Sequence, residues 1–149
     1  MIALLQRVNH AGVTVSGNTI ARIDKGILAF IGYEKGDTRE MSHKMFDRIL
    51  RYRIFSDEND KMNLSVSDIG GRVLLVSQFT LAAETSRGNR PGFDPAMPPD
   101  EAREMYGDLV SYARSRAPGT ESGEFGADMK VALENDGPVT FLLRLDPPR

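Results

Sequence analysis

The run Gly26-Ile27-Leu28-Ala29-Phe30-Ile31-Gly32 is apolar at successive positions, so as a strand it presents hydrocarbon on both faces. A strand of that kind has to be central, with a layer packed on either side of it. A second run, Arg72-Val73-Leu74-Leu75-Val76, begins with the same double burial and then turns polar at Ser77-Gln78-Phe79-Thr80-Leu81. Two such strands in 149 residues commit the chain to one core, since a chain this long buries roughly 70% of its extended surface. A single domain over residues 1–149 is therefore expected, with 146–149 as a short tail.

Both ends of the chain alternate as half-buried strands do. Ile2 to Val8 continues into Val13-Thr14-Val15, and Gly17-Asn18 then suits a two-residue hairpin into Ile20 and Ile23. Near the C-terminus, Met129, Val131 and Leu133 form one apolar face, and Val139, Phe141, Leu143 and Leu145 form another. Between the doubly apolar runs, Asp37 and Glu40 have capping-box spacing, and Met41, Met45, Phe46, Ile49 and Leu50 recur on one helical face. His43 falls off that stripe toward solvent. Met62, Leu64 and Val66 suggest a short strand, and Ala82 to Pro98 is a long loop without apolar period. A second helix opens at Pro98-Pro99, carries Met105, Tyr106, Leu109 and Val110 at helical spacing, and ends at Pro118-Gly119. This order predicts an α+β fold: a curved or barrel-like mixed sheet with two main helices packed on it.

Composition narrows the function classes. Net charge is −2 and the pI about 5.7, so any nucleic-acid contact is local. The absence of cysteine removes disulfides, thiolate nucleophiles and cysteine metal sites, and fits a reducing compartment. No apolar run approaches the ~18 residues of a membrane span, and a soluble, cytoplasmic protein without membrane contact is expected. Only His10 and His43 offer imidazoles, neither in ligand spacing, so no metal and no cofactor is expected. If the chain is an enzyme, its activating groups are backbone dipoles.

Two stretches stand out against that inventory. Period two along the second apolar strand puts Ser77 and Phe79 on one face and Gln78 and Thr80 on the other, which offers an amide and a hydroxyl together. Asn135-Asp136-Gly137-Pro138-Val139-Thr140 interrupts the C-terminal alternation. A plain hairpin turn accounts for it; the alternative is a set of carbonyl oxygens freed from ladder pairing to grip a ligand cation. Arg7 lies among apolar residues, where its side chain either snorkels outward or holds a backbone carbonyl inside.

These two stretches together resemble the paired signature motifs of the D-aminoacyl-tRNA deacylases, also called D-tyrosyl-tRNA deacylases. The likeness extends through Leu5-Gln6-Arg7-Val8, Tyr52-Arg53-Ile54-Phe55-Ser56-Asp57, Lys61-Met62-Asn63-Leu64, Arg87-Gly88-Asn89-Arg90-Pro91 and Phe125-Gly126-Ala127-Asp128-Met129. Gly92 departs from the serine of many members. The resemblance implies a homodimeric hydrolase that cleaves the ester between a D-amino acid, or glycine, and the 3′ terminal adenosine of tRNA, and rejects L-aminoacyl-tRNA. It implies a cross-subunit site in which Gly137-Pro138 is cis and reaches into the partner's pocket, with Arg7 supporting the turn. Ser77, Gln78, Phe79 and Thr80 are then the catalytic residues, with the N–H groups around Gln78, Phe79 and Thr80 stabilising the oxyanion and Thr80 as covalent nucleophile the rival. Arg87 and Arg90 are read as phosphate contacts or as solvated loop residues. The competing classes are a non-catalytic dimeric nucleotide- or nucleic-acid-binding protein using the same pocket, a metal-free esterase of small substrates, and a purely structural dimer module.

Overall fold

The computed structural model describes residues 1–147; Pro148 and Arg149 of the tail lie outside the described residues. The long strand β1 (Ile2–Val15) organises the sheet. Its one edge pairs antiparallel with β2 (Asn18–Ile23) through its second half and with β3 (Gly26–Gly32) through its first. The turn into β2 is Ser16-Gly17, at φ 49° and 80°, one residue earlier than Gly17-Asn18. Two successive positive φ values match the twist of the flanking strands.

After β3 come α1 (Arg39–Arg51), a small two-stranded sheet of β4 (Phe55–Ser56) and β5 (Met62–Leu64), and β6 (Arg72–Ser77), which lies parallel to β3. The chain then crosses through α2 (Pro99–Arg116) to β7 (Glu121–Ser122), parallel to β6, and ends in β8 (Met129–Arg144), antiparallel on the free edge of β1. The strand order is β2-β1-β3-β6-β7 with β8 on β1, and β2 swings back to approach β6 and β7. The mixed sheet thus curls into a nearly closed barrel with both helices on its outside, the expected α+β architecture.

Double burial of β3 and β6 now has its physical reason. Ile27, Ile31, Val73 and Leu75 face Met45, Phe46 and Ile49 of α1 and Met105 and Leu109 of α2. Leu28, Leu74 and Val76 point the other way, into a second cluster with Val8, Val13 and Ile23.

Two local expectations change. Thr38, not Asp37, caps α1: its hydroxyl accepts from the Met41 N–H at 3.2 Å. The Asp37 carboxylate is buried and taken up by the Met1 α-ammonium at 2.9 Å and the Glu34 N–H at 2.7 Å. A buried carboxylate so matched cannot also turn back to cap a helix. His43 does not face open solvent either. Its ring stacks on Tyr112 at 3.9 Å and its Nε2 bonds Asp108 at 2.7 Å, so it serves the contact between the helices.

The packing predicts that Leu75→Ala, at a fully buried position of β6, lowers the unfolding free energy by about 2–5 kcal/mol in urea denaturation. Tyr106 supplies a second expectation. Its hydroxyl donates to the Leu75 carbonyl at 2.9 Å, and burial pushes its pKa from 10.0 up to about 12. Because the folded value is the higher one, this contribution is intact below pH 10 and is lost as pH rises toward 12. A Tyr106→Phe variant should show a shallower alkaline loss of stability, with Tyr33, also raised by burial, keeping its share.

Candidate active site

The strand that carries Ser77 stops there. The chain turns at Gln78 into a single 3-10 turn, Phe79–Ala82, so the expected extended strand to Leu81 and its period-two facing do not hold. Gln78 and Thr80 still meet, by another route: the Gln78 side-chain amide donates to the Thr80 hydroxyl at 3.0 Å. The turn is seated on the end of β3. The Gln78 N–H donates to the Ile31 carbonyl at 2.7 Å. A side chain at Gly32 would stand 2.9 Å from Leu81 Cβ and 3.1 Å from the Gln78 carbonyl, so glycine there permits the close approach.

This geometry sorts the N–H groups. That of Gln78 is consumed by Ile31, whereas those of Phe79 and Thr80 open the 3-10 turn and, among the described residues, have no acceptor. The Thr80 hydroxyl is exposed, and its recorded partner is an amide, which takes no proton. Phe79 is 59% exposed and leans on Phe93, 42% exposed, with ring centroids 5.2 Å apart. Phe93 was not singled out in the sequence; a lone aromatic inside the polar stretch Gly92 to Asp94 was its only signal.

The Asn135 to Thr140 stretch is not a hairpin. Both flanking runs pair with the same strand: Asn135 lies opposite Val8 and Thr140 opposite Gln6. Residues 136–139 therefore loop out where β1 spends only Arg7. Side chains replace the missing ladder. Asn135 Nδ2 donates to the Arg7 carbonyl at 2.8 Å and to the Val139 carbonyl at 2.9 Å, which ties the foot of the loop. Thr140 Oγ1 donates to Asn135 Oδ1 at 3.3 Å and accepts from Gln6 Nε2 at 3.3 Å.

Arg7 works from behind. Its Nε donates to the Asp136 carbonyl at 3.1 Å and lies 3.3 Å from the Asp136 carboxylate, while Nη1 donates to the Ile54 carbonyl at 2.8 Å. The planar guanidinium thus pins the loop to the chain just before β4. Gly137 and Pro138, joined by a cis peptide bond, are exposed and outside the ladder.

One chain does not bring the two motifs together. Ser77 lies in register with Ile31, hence with Ala3, while the loop sits at Arg7, four residues further along β1. That is roughly 13 Å along the strand and, from β8 across to β6, about 14 Å over three strand spacings. Among the described residues no cluster of three or more His, Cys, Asp or Glu side chains is placed to hold a metal.

A small mixed barrel of this form also occurs in known proteins. A solved structure titled "c-Myc DNA Unwinding Element Binding Protein" superposes with a TM-score of 0.93 at 39% identity, covering 98% of this chain and 99% of that one. Another, of a probable eukaryotic D-amino acid tRNA deacylase, superposes at 0.82 with 16% identity over 95% and 97% of the two chains, a likeness of fold. The D-aminoacyl-tRNA deacylase of Shewanella baltica (strain OS185) is 53% identical over 145 residues, 97% of this chain and all of that protein; that of Shewanella sp. (strain W3-18-1) is 52% identical over the same span. Residues 4–144 match the family D-Tyr-tRNA(Tyr) deacylase, and the chain belongs to it.

The loop geometry predicts that Gly137→Ala is disruptive. Its Cβ would stand 2.6 Å from Val139 Cγ2 and 3.0 Å from the Val139 N, at φ 133°. Arg7→Ala orphans two carbonyls and should cost about 1–3 kcal/mol. Both are measurable by chemical denaturation, and faster amide exchange around residues 136–139 would mark the released loop.

Proposed function

We propose that this chain hydrolyses the ester that joins a D-amino acid, or glycine, to the 3′ terminal adenosine of tRNA, releasing free tRNA and amino acid, and that it spares L-aminoacyl-tRNA. Family membership supports the reaction. The observation that carries the site is the pair of exposed backbone clusters, one of donors at Phe79 and Thr80 and one of acceptors at Gly137 and Pro138. Carbonyls outside the ladder suit an α-ammonium, and orphan N–H groups suit an oxyanion.

With the ammonium held by the Gly137 and Pro138 carbonyls and the ester by the Phe79 and Thr80 N–H groups, the substrate Cα has two fixed substituents. The remaining substituent can point only one way. An L side chain is driven into the clamp, a D side chain is directed out of it, and glycine has nothing to reject. Water attacks the ester carbon, negative charge collects on the carbonyl oxygen between the two donors, and the ester C–O bond breaks toward the ribose. The proton that water gives up ends on the leaving ribose oxygen, with the adenosine 2′-hydroxyl as its relay. Each donor of this kind is worth on the order of 10²–10³-fold. Gln78 enters differently from the sequence expectation: its N–H is spent on Ile31, and its side chain orients Thr80. Thr80 as nucleophile is disfavoured because its hydroxyl meets an amide and no base.

The clusters meet only if a second copy supplies one of them, which makes the active form a homodimer. A partly exposed apolar row supports this, with Leu4 and Phe30 half-buried and Leu142 at its open end. Leu142, Leu4 and Phe30 lie directly opposite one another on the sheet face away from the helices, and Leu142 is 59% exposed. That row adjoins the Gln6 and Thr140 pair at the foot of the loop. The reading places the work in the cytoplasm, where aminoacyl-tRNA is used; no helix among the described residues is long and apolar enough to cross a membrane.

D-tyrosyl-tRNA, L-tyrosyl-tRNA and glycyl-tRNA should be offered to the purified protein with and without chelator. Release from the D and glycyl esters alone is the expected result. Survival of all three would replace this reading with a nucleic-acid-binding one. Thr80→Ala should keep turnover within about tenfold of the parent, as expected for a residue that offers its N–H. Leu142→Glu should sediment as a monomer and lose deacylation with it.

A further inference from the structure

The loop between Glu84 and Gly92 is a closed and ordered device. Its ends are bridged antiparallel, Glu84 N–H to the Gly92 carbonyl at 2.7 Å and Gly92 N–H to the Glu84 carbonyl at 3.0 Å. The Glu84 carboxylate accepts the Ser86 N–H at 2.8 Å, and the Ser86 side chain first and this N–H second hold it below the usual carboxylate range. Between these ends Thr85, Arg87, Gly88, Asn89, Arg90 and Pro91 line a cleft of about 220 Å³.

Two features make this cleft more than a wet turn. First, among the described residues neither Arg87 nor Arg90 has an ion-pair or hydrogen-bond partner, and no aromatic ring carries their charge. Arg22, Arg116, Arg144 and Arg103 are engaged, with Asp24, Asp47, Glu34 and the Phe125 ring, whereas the exposed Arg39, Arg51 and Arg72 share with Arg87 and Arg90 the lack of a side-chain partner among the described residues. Arg87 and Arg90 differ from those three in lining one cleft together. In a chain of net charge −2, these two guanidiniums stand on a stretch, residues 85–93, that itself holds no acid, with Glu84 and Asp94 at its two ends. Second, the loop is attached to the candidate active site. Ala83 N–H bonds the Thr80 carbonyl at 3.2 Å immediately before the loop begins, and Phe93 immediately after it packs on Phe79. Arg87 lies four residues after Ala83 and Arg90 three before Phe93, so each is within about 14 Å of a residue bonded to or packed on the turn that carries Thr80.

From this placement we infer that Arg87 and Arg90 bind backbone phosphates of the single-stranded nucleotides just 5′ of the terminal adenosine. The inference rests on the deacylase reading. It assigns that reading a second contact, sequence-independent and electrostatic, separate from the ester-holding groups. Guanidinium forks match phosphate oxygens in shape and charge, and Thr85 and Asn89 add neutral donors. Such contacts release counterions, so they show themselves in salt dependence.

The test compares D-tyrosyl-tRNA with 3′-O-(D-tyrosyl)adenosine, which has the same ester and no phosphate. For an Arg87→Gln/Arg90→Gln double variant we expect at least a tenfold rise in KM for the tRNA substrate with kcat within twofold. The slope of log kcat/KM against log salt should become shallower by about 1.4, two contacts at about 0.7 each for a single strand. Hydrolysis of the adenosine ester should match the parent protein, and so should thermal melting. An Arg87→Lys/Arg90→Lys variant should recover most of the salt slope. Equal losses on both esters, or no loss on either, would overturn the inference while leaving the deacylase reading standing. If the parent protein cleaves neither ester, the deacylase reading fails first and this inference falls with it.

Discussion

The acceptor side of the candidate site depends on one guanidinium between two stretches of backbone. Arg7 occupies the single β1 position opposite which β8 spends four residues, and it bonds the Asp136 carbonyl on one side and the Ile54 carbonyl on the other. A loop of four residues let out of a sheet has no ladder to fix it, and each unpaired polar group held away from water costs about 1–3 kcal/mol. Asn135, Thr140 and Gln6 complete the substitution by supplying side-chain bonds where backbone bonds are missing. The exposed backbone at Gly137 and Pro138 can be held in one form because everything beneath it is bonded.

Much of the fold was readable from period and burial. β3 and β6 announced themselves as central because hydrocarbon on both strand faces admits no other place, and the α1 stripe of Met41, Met45, Phe46 and Ile49 is the buried face found. The departures share a cause. The alternation on each side of Asn135 to Thr140 reads the same whether the two arms pair with each other or with a third strand. Only the non-local register with β1 decides it. Likewise Asp37 has the spacing of a helix cap, and the Met1 ammonium, 36 residues away, claims its carboxylate. Local rules lose where a distant charge competes for the same group.

At the candidate site the residue types were legible and their geometry was not. Ser77 to Thr80 looked like a strand end because Ser, Gln and Thr are ordinary there. The 3-10 turn arises because Gly32 lets the Gln78 carbonyl and Leu81 come close over the end of β3. That change matters chemically. An extended strand would have tied up alternate N–H groups in its ladder, whereas a tight turn leaves its first donors free and side by side. The same fold takes Gln78 N–H out of use. Which donors remain is thus decided by the neighbour of the motif rather than by the motif.

On the proposed reading, the chain supplies no base and no nucleophile, and selectivity and rate both come from fixed backbone dipoles. Such groups do not titrate near neutrality and cannot be removed by a side-chain exchange. Their strength lies in being pre-aimed, and the supports of the two clusters differ accordingly. The donors sit on a doubly buried strand end, anchored by the core itself. The acceptors sit on a loop whose position is held by three polar side chains and one arginine. Disturbing the core must therefore act on both stability and rate, whereas disturbing Arg7 or Asn135 acts chiefly on where the ammonium is held. Discrimination between D and L substrates should be the more fragile property, because it needs two clusters in register while oxyanion stabilisation needs one.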